Sequence, residues 1–148
     1  MLSKVKEVVE KYSKSLKALI MFGSSIYSPM TARDLDIITV VDTVTNVNEK
    51  TLLEVEITKA LKNVIVNKPI DVIVFDVESF KENLEPGALA SGLIAGFKVL
   101  FNEIYVEELI TKALEKIALG QYIVLKKDRK LNLSAIAKAK LKIKKIMR

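Results

Sequence analysis

Asp34 and Asp36 stand one residue apart at the head of an otherwise apolar run, Asp34-Leu35-Asp36-Ile37-Ile38-Thr39-Val40-Val41. If the run is a strand, residues two apart share a face, so both carboxylates emerge side by side while Leu35 and Ile37 turn into the core. Two such carboxylates can bridge a pair of divalent cations roughly 3.5–4 Å apart. An Asp-x-Asp pair by itself is more often a solvated strand entrance. A third acid shifts the balance. In Ile70-Asp71-Val72-Ile73-Val74-Phe75 every residue but Asp71 is apolar, and a carboxylate heading a buried strand is costly unless it is paired or holds a metal. A neighbouring strand would bring Asp71 beside Asp34 and Asp36. The plainer alternative is an edge acid paired with a lysine such as Lys68. Asp42 and Asp76 fall at the far ends of the same two runs and read as turn or capping residues.

Gly23-Ser24-Ser25 follows a short apolar run directly. Glycine lets the backbone approach a bound group closely, and serine hydroxyls with backbone N–H groups can cradle phosphate oxygens. A lone Gly-Ser-Ser is usually a turn. The chain contains neither Cys nor His, which removes Cys/His zinc sites, Ser-His-Asp triads, cysteine nucleophiles and disulfides. Carboxylates, hydroxyls, Lys and Arg remain, and carboxylates favour hard ions such as Mg²⁺, with Mn²⁺ a substitute.

The elements that must position these groups follow from periodicity. Leu2, Val5, Val8, Val9, Tyr12 and Leu16 recur at helical spacing. Residues 18–22, 35–41 and 70–75 read as strands, and Leu53, Ile57, Ala60, Leu61 and Val64 mark a helix between the last two, with Asn48 as its cap. Ser79-Phe80-Lys81-Glu82 fits a capping box. Glu85-Pro86-Gly87 is a turn signal, 88–95 reads as helix and 97–101 as strand. Val106, Leu109, Ile110, Ala113, Leu114 and Ile117 define a long helix. Ser134 is placed to cap a last one, with Ile136, Ala139, Ile143, Ile146 and Met147 on its apolar side. The expectation is an α/β (α+β) protein: a small mixed sheet flanked by helices over residues 1–103, and a helical C-terminal extension over 104–148.

Taken together, Met21-Phe22-Gly23-Ser24, nine intervening residues, Asp34-Leu35-Asp36-Ile37 and then Ile70-Asp71-Val72-Ile73 resemble the minimal nucleotidyltransferases of the polymerase-β superfamily. The resemblance spans about Leu16 to Asn102, and its three-part spacing is specific. It implies that Asp34 and Asp36 bind two metal ions, that Asp71 helps hold one and primes the nucleophile, and that Gly23 and Ser24 hold a nucleoside triphosphate, with ATP the expected one. Two positions depart from the pattern. Ser25 stands where the family often has arginine, and Arg33 precedes the first acid where a small residue is common. Arg33 either supplies the positive charge at the triphosphate or obstructs it. The implied reaction is in-line attack on the α-phosphate, with one ion lowering the pKa of the attacking hydroxyl and another steadying pyrophosphate. Three acceptor readings stay open. The first is a helical partner protein, as in antitoxin members that attach AMP to their partner. The second is a nucleic acid, and the third is a catalytically silent protein that masks its partner.

The net charge of +6 is unevenly placed. From Lys126 onward ten basic residues accompany one acid, for +9, and the rest of the chain carries −3. A basic tail of this kind suits an anionic partner or is simply a solvated helix face. Its apolar side is expected to pack on the chain itself or across a homodimer, leaving Lys138, Lys142 and Lys145 to solvent. No stretch reads as a signal peptide or membrane span, so a cytoplasmic location is the expectation. The scarcity of glutamine and the abundance of Ile, Lys and Glu hint at a thermophile.

Overall fold

The computed structural model describes every residue except 24, 25, 27–29, 31, 32, 88, 90, 91, 94, 95, 127, 128 and 148, and the backbone alone at 124–126, 129, 131 and 144–147. Its elements are α1 (Leu2–Lys11), β1 (Leu16–Phe22), β2 (Leu35–Val41), α2 (Val47–Lys62), β3 (Ile70–Asp76), α3 (Val77–Asn83), β4 (Phe97–Phe101), α4 (Glu103–Leu119), β5 (Ile123–Lys126), β6 (Arg129–Asn132) and α5 (Leu133–Met147). Leu16, which continues the helical period of α1, instead opens β1.

Four strands form one mixed sheet in the order β3-β2-β1-β4. Strands β2 and β3 run parallel, joined by the α2 crossover, while β1 pairs antiparallel with both β2 and β4. The strands alternate cleanly between two apolar layers. Leu19, Leu35, Ile37, Val41, Ile70, Val72 and Val74 face α1 and α2, packing with Val5, Val9, Leu53, Ile57 and Leu61. Ala18, Ile20, Ile38 and Val40 face the other way, against Phe80 of α3, Val106, Ile110, Leu114 and Ile117 of α4, and Leu133 and Ala137 of α5. The sheet is therefore covered on both faces, which is why its strands are almost continuously apolar.

Helix α2 is capped by Asn46, whose side chain accepts from the Glu49 N–H at 2.9 Å, rather than by Asn48. Helix α3 begins at Val77, two residues before Ser79, and Asp76 is its cap, accepting the Ser79 N–H at 2.8 Å. In α5 the capping contact is made by Asn132, whose side chain accepts the Ala135 N–H at 3.0 Å. Ser134 has another role. Its buried hydroxyl donates to the Ile117 carbonyl at 2.8 Å and accepts the Tyr122 N–H at 2.8 Å, tying the end of α4 to the start of α5. Gly120 makes this junction feasible, because a Cβ there would lie 2.3 Å from the Tyr122 ring.

Between these tied points runs a hairpin, β5 with β6, which periodicity did not anticipate. Helix α5 packs on its own chain, but through Leu133, Ala137, Ile136 and Leu141. Ala139 and Ile143, expected on the packed side, are exposed, as are Lys138, Lys140 and Lys142. Among the described residues no helix is long and apolar enough to cross a membrane.

Candidate active site

Because β2 and β3 are parallel, both start at the same end of the sheet, and antiparallel β1 finishes there. The register places Asp36 opposite Asp71 on one side and opposite Phe22 on the other. Asp36 shares the parity of Ile38 and Val40, and Asp71 that of Phe75, so both belong to the sheet face lined by α3, α4 and α5. Asp34 lies two residues before Asp36, just ahead of β2, and near enough for its charge to act on Asp36. The two strand-borne acids thus stand in one cross-strand row, at a separation set by neighbouring strands of about 4.7–4.9 Å.

Directly after β1 the chain turns at Gly23, whose φ is +79°. This conformation suits glycine, since a side chain there meets backbone oxygen. The close approach is as decisive as the angle. A Cβ on Gly23 would lie 2.6 Å from Asp36 Oδ2, so the glycine Cα is pressed against that carboxylate. The Ile26 N–H then donates to the Gly23 carbonyl at 3.0 Å, closing the turn.

Asp36 is half-buried, whereas Asp34 and Asp71 are exposed. Burial, and then the negative charges of Asp71 and Asp34, push the Asp36 carboxyl above its ordinary value. A divalent cation would relieve that strain by replacing repulsion with attraction. Among the described residues no three carboxylates are gathered tightly enough to cage an ion by themselves. The donor set still fits a hard cation of the Mg²⁺ type, which dehydrates reluctantly and is normally held by one or two carboxylates, with water and substrate phosphates completing its shell.

Of the other expected site residues, Ser24 and Ser25 lie outside the described residues, and Arg33 is exposed beside Asp34. Two features had escaped the sequence reading. An apolar cavity of about 300 Å³ adjoins the Gly23 turn, lined by Ile26, Leu93, Phe97, Ile110 and Leu114 with Glu107 and Lys140 at its polar margin. A second recess, about 730 Å³, runs between α2 and the outer edge of β3 and includes Asp71. Both depend on which elements become neighbours, which local spacing does not carry.

Strand order, crossover and site position define a nucleotidyltransferase-like fold. Among solved structures, a toxin–antitoxin complex with AMP-PNP matches at TM-score 0.50 and 15% identity, over 99% of this chain and 98% of that one. A toxin–antitoxin MntA–HpeT pair carrying two Asp-to-Glu substitutions matches at TM-score 0.50 and 14% identity, over 99% and 98%. A tri-AMPylated Shewanella oneidensis HEPN toxin in complex with MNT antitoxin matches at TM-score 0.48 and 13% identity, over 99% and 95%. At these identities the likeness is one of fold. No protein-family model matches the sequence, and no curated protein does.

Proposed function

We propose that this chain is a metal-dependent nucleotidyltransferase that moves AMP from ATP onto a hydroxyl group of a partner protein. The observation that carries the reading is the row formed by Asp71 and Asp36, register partners on one face, with the Gly23 turn pressed against Asp36. Two facing acids beside a closely approached glycine turn offer hard-cation ligands and a backbone able to approach phosphate at one point. Similarity of fold to toxin–antitoxin complexes, one of them solved with AMP-PNP, favours adenylate transfer to a partner protein over other phosphate chemistry.

In this reading Asp34, Asp36 and Asp71 would hold Mg²⁺, two ions in all, with Mn²⁺ as a substitute. When bound, the ions supply charge neutralisation at the triphosphate and acidify the attacking hydroxyl. Asp71, an exposed flank of the row, orients that hydroxyl and accepts its proton directly or through water. Gly23 lets its backbone approach the triphosphate, Ser24 and Ser25 add hydroxyl donors, and Arg33 adds positive charge. The apolar cavity between Ile26 and Phe97 receives the base.

The test is incubation of the purified chain with α-labelled ATP and Mg²⁺ or Mn²⁺, with and without the protein that co-purifies with it. Label should pass to that protein with pyrophosphate release, and chelation by EDTA should stop it. Pyrophosphate release that persists in EDTA would reject metal dependence. A second reading, a nucleic-acid acceptor, rests on exposed Lys138, Lys140 and Lys142 along α5. It requires binding that weakens steeply from low to moderate salt as counterions are released.

A further inference from the structure

Strand β3 is an edge of the sheet, and an edge strand presents backbone groups with no ladder partner. Which groups these are follows from the register. Leu35 pairs with Ile70, and the Leu35 N–H donates to the Pro69 carbonyl at 2.9 Å. In a parallel ladder the odd-numbered residues of β3 therefore turn their backbone groups toward β2, and Ile70, Val72 and Val74 turn theirs outward. The Val74 N–H confirms this parity, because it donates to Glu54 of α2 at 3.1 Å. Glu54 thus blocks the edge at Val74 and leaves it open beside Ile70 and Val72, the end that carries Asp71.

The open stretch faces a recess of about 730 Å³ whose other wall is α2. That wall offers Thr51, Val55 and Thr58 together with Lys59 and Lys62. Lys50 is engaged by Glu54 at 2.9 Å, and Lys59 is 69% exposed with a loose 3.7 Å contact to Glu56. The recess is thus shaped for an extended chain and carries positive charge along one side.

We propose that this open edge is the docking track for the acceptor: an extended, acidic segment of a partner protein pairs with Ile70 and Val72 and sets a hydroxyl side chain beside Asp71. The inference rests on the nucleotidyl-transfer reading above and specifies how the acceptor of that site is held. Strand addition satisfies the outward N–H and carbonyl groups and supplies affinity without sequence demand, while alternate side chains supply selectivity. A residue paired across from Asp71 points to the same face as Asp71 and Asp36, one strand spacing further along the row. Its oxygen is then placed to attack the α-phosphorus of ATP. The new bond joins that oxygen to the α-phosphorus, the bond from the α-phosphorus to the bridging oxygen breaks, pyrophosphate leaves, and the hydroxyl proton passes to Asp71. Acidic side chains of the segment pair with Lys59 and Lys62.

The probes are synthetic peptides of alternating Val and Glu around a single Ser, Thr or Tyr, matched peptides with Lys for Glu, and a third set with Pro beside the hydroxyl residue. The readout is label transferred from α-labelled ATP, with Mg²⁺-dependent ATP binding measured in parallel on the full chain. The Glu peptides should be labelled about tenfold or more faster than the Lys and Pro sets. Val72→Pro removes an N–H that the β2 ladder does not use, and should abolish peptide labelling while ATP binding persists. The double variant Lys59→Glu/Lys62→Glu leaves the strand untouched, so it decides the matter if Val72→Pro fails to fold. It should invert the preference, labelling Lys peptides faster than Glu peptides. Labelling indifferent to peptide charge and proline, or absent while ATP binding persists, would overturn the docking track. Absence of Mg²⁺-dependent ATP binding would instead remove the nucleotidyl-transfer reading, and the track with it.

Discussion

At one end of the sheet, Asp42 and Asp76 each accept a backbone N–H. Asp42 takes that of Ser15 at 2.9 Å, and Asp76 that of Ser79 at 2.8 Å. At the other end of the same two strands, Asp36 and Asp71 face one another with Asp34 close by, and Gly23 approaches Asp36 so closely that a Cβ there would meet its carboxylate. Hydrogen bonding, led by the Ser15 N–H, holds the Asp42 carboxyl below its ordinary value, while burial and two like charges hold Asp36 above it. Identical side chains therefore act with opposite sign: acids that close turns stabilise the fold, and acids facing acids oppose it. Such an opposition persists where a ligand makes use of it.

Four substitutions break or sharpen this contrast. Asp36→Asn should have the largest effect. Losing a cation ligand forfeits several kcal/mol of charge stabilisation, about a thousandfold or more in transfer rate. The fold should survive, because a raised pKa means that stability falls as pH rises through it, and the amide removes that loss. Thermal melts of the variant should match or exceed those of the parent at neutral pH and converge with them in acid. Full transfer activity would dismiss the metal assignment.

Gly23→Ala comes next. The methyl group meets Asp36 Oδ2 and demands an unfavourable φ, so a loss of about 1–2 kcal/mol is expected. Displacement of the carboxylate should also weaken Mg²⁺-dependent ATP binding about tenfold or more, since 1.4 kcal/mol is tenfold in affinity. Calorimetric titration separates the two effects.

At the far end, Asp76→Ala should cost about 1 kcal/mol through loss of the α3 cap. Melting should drop by a few degrees, roughly 2–8 °C for a chain of this size, with ATP binding unchanged. Asp42→Ala should be the mildest, about 0.5–1.5 kcal/mol. Its folded pKa is depressed, so the contribution is present above the ordinary carboxylate range and lost as pH falls through the lowered value. The deficit should therefore fade in acid, opposite to the behaviour at Asp36. Equal pH trends at the two positions would erase the contrast.

The contrast itself was legible before any fold was known. Alternation along 34–41 and 70–75 fixed which residues share a face, and the apolar company of Asp71 marked it as costly. The caps shifted by two or three residues because Asn46 and Asn48, like Asp76 and Ser79, are all competent, and tertiary docking decides which end of a helix is buried. The apolar face of α5 was misjudged because lysine at almost every second position leaves helical phase ambiguous until Leu133 and Ala137 find the core. The hairpin escaped notice because each strand is only four residues long, too short for a period of two to stand out. The open edge of β3 was invisible for another reason: edges are a property of strand order, which no single strand encodes.

The junction around Ser134 has a consequence for how the molecule can change. Chain enters and leaves the β5–β6 hairpin through a neck fixed by two bonds, Tyr122 N–H to Ser134 Oγ and Leu133 N–H to the Tyr122 carbonyl, at 2.8 and 2.9 Å. Helices α4 and α5 are aligned by that neck, not by the length of what lies beyond it. A change of length in the chain beyond that neck is thus expected to leave undisturbed how the two helices seat on the sheet.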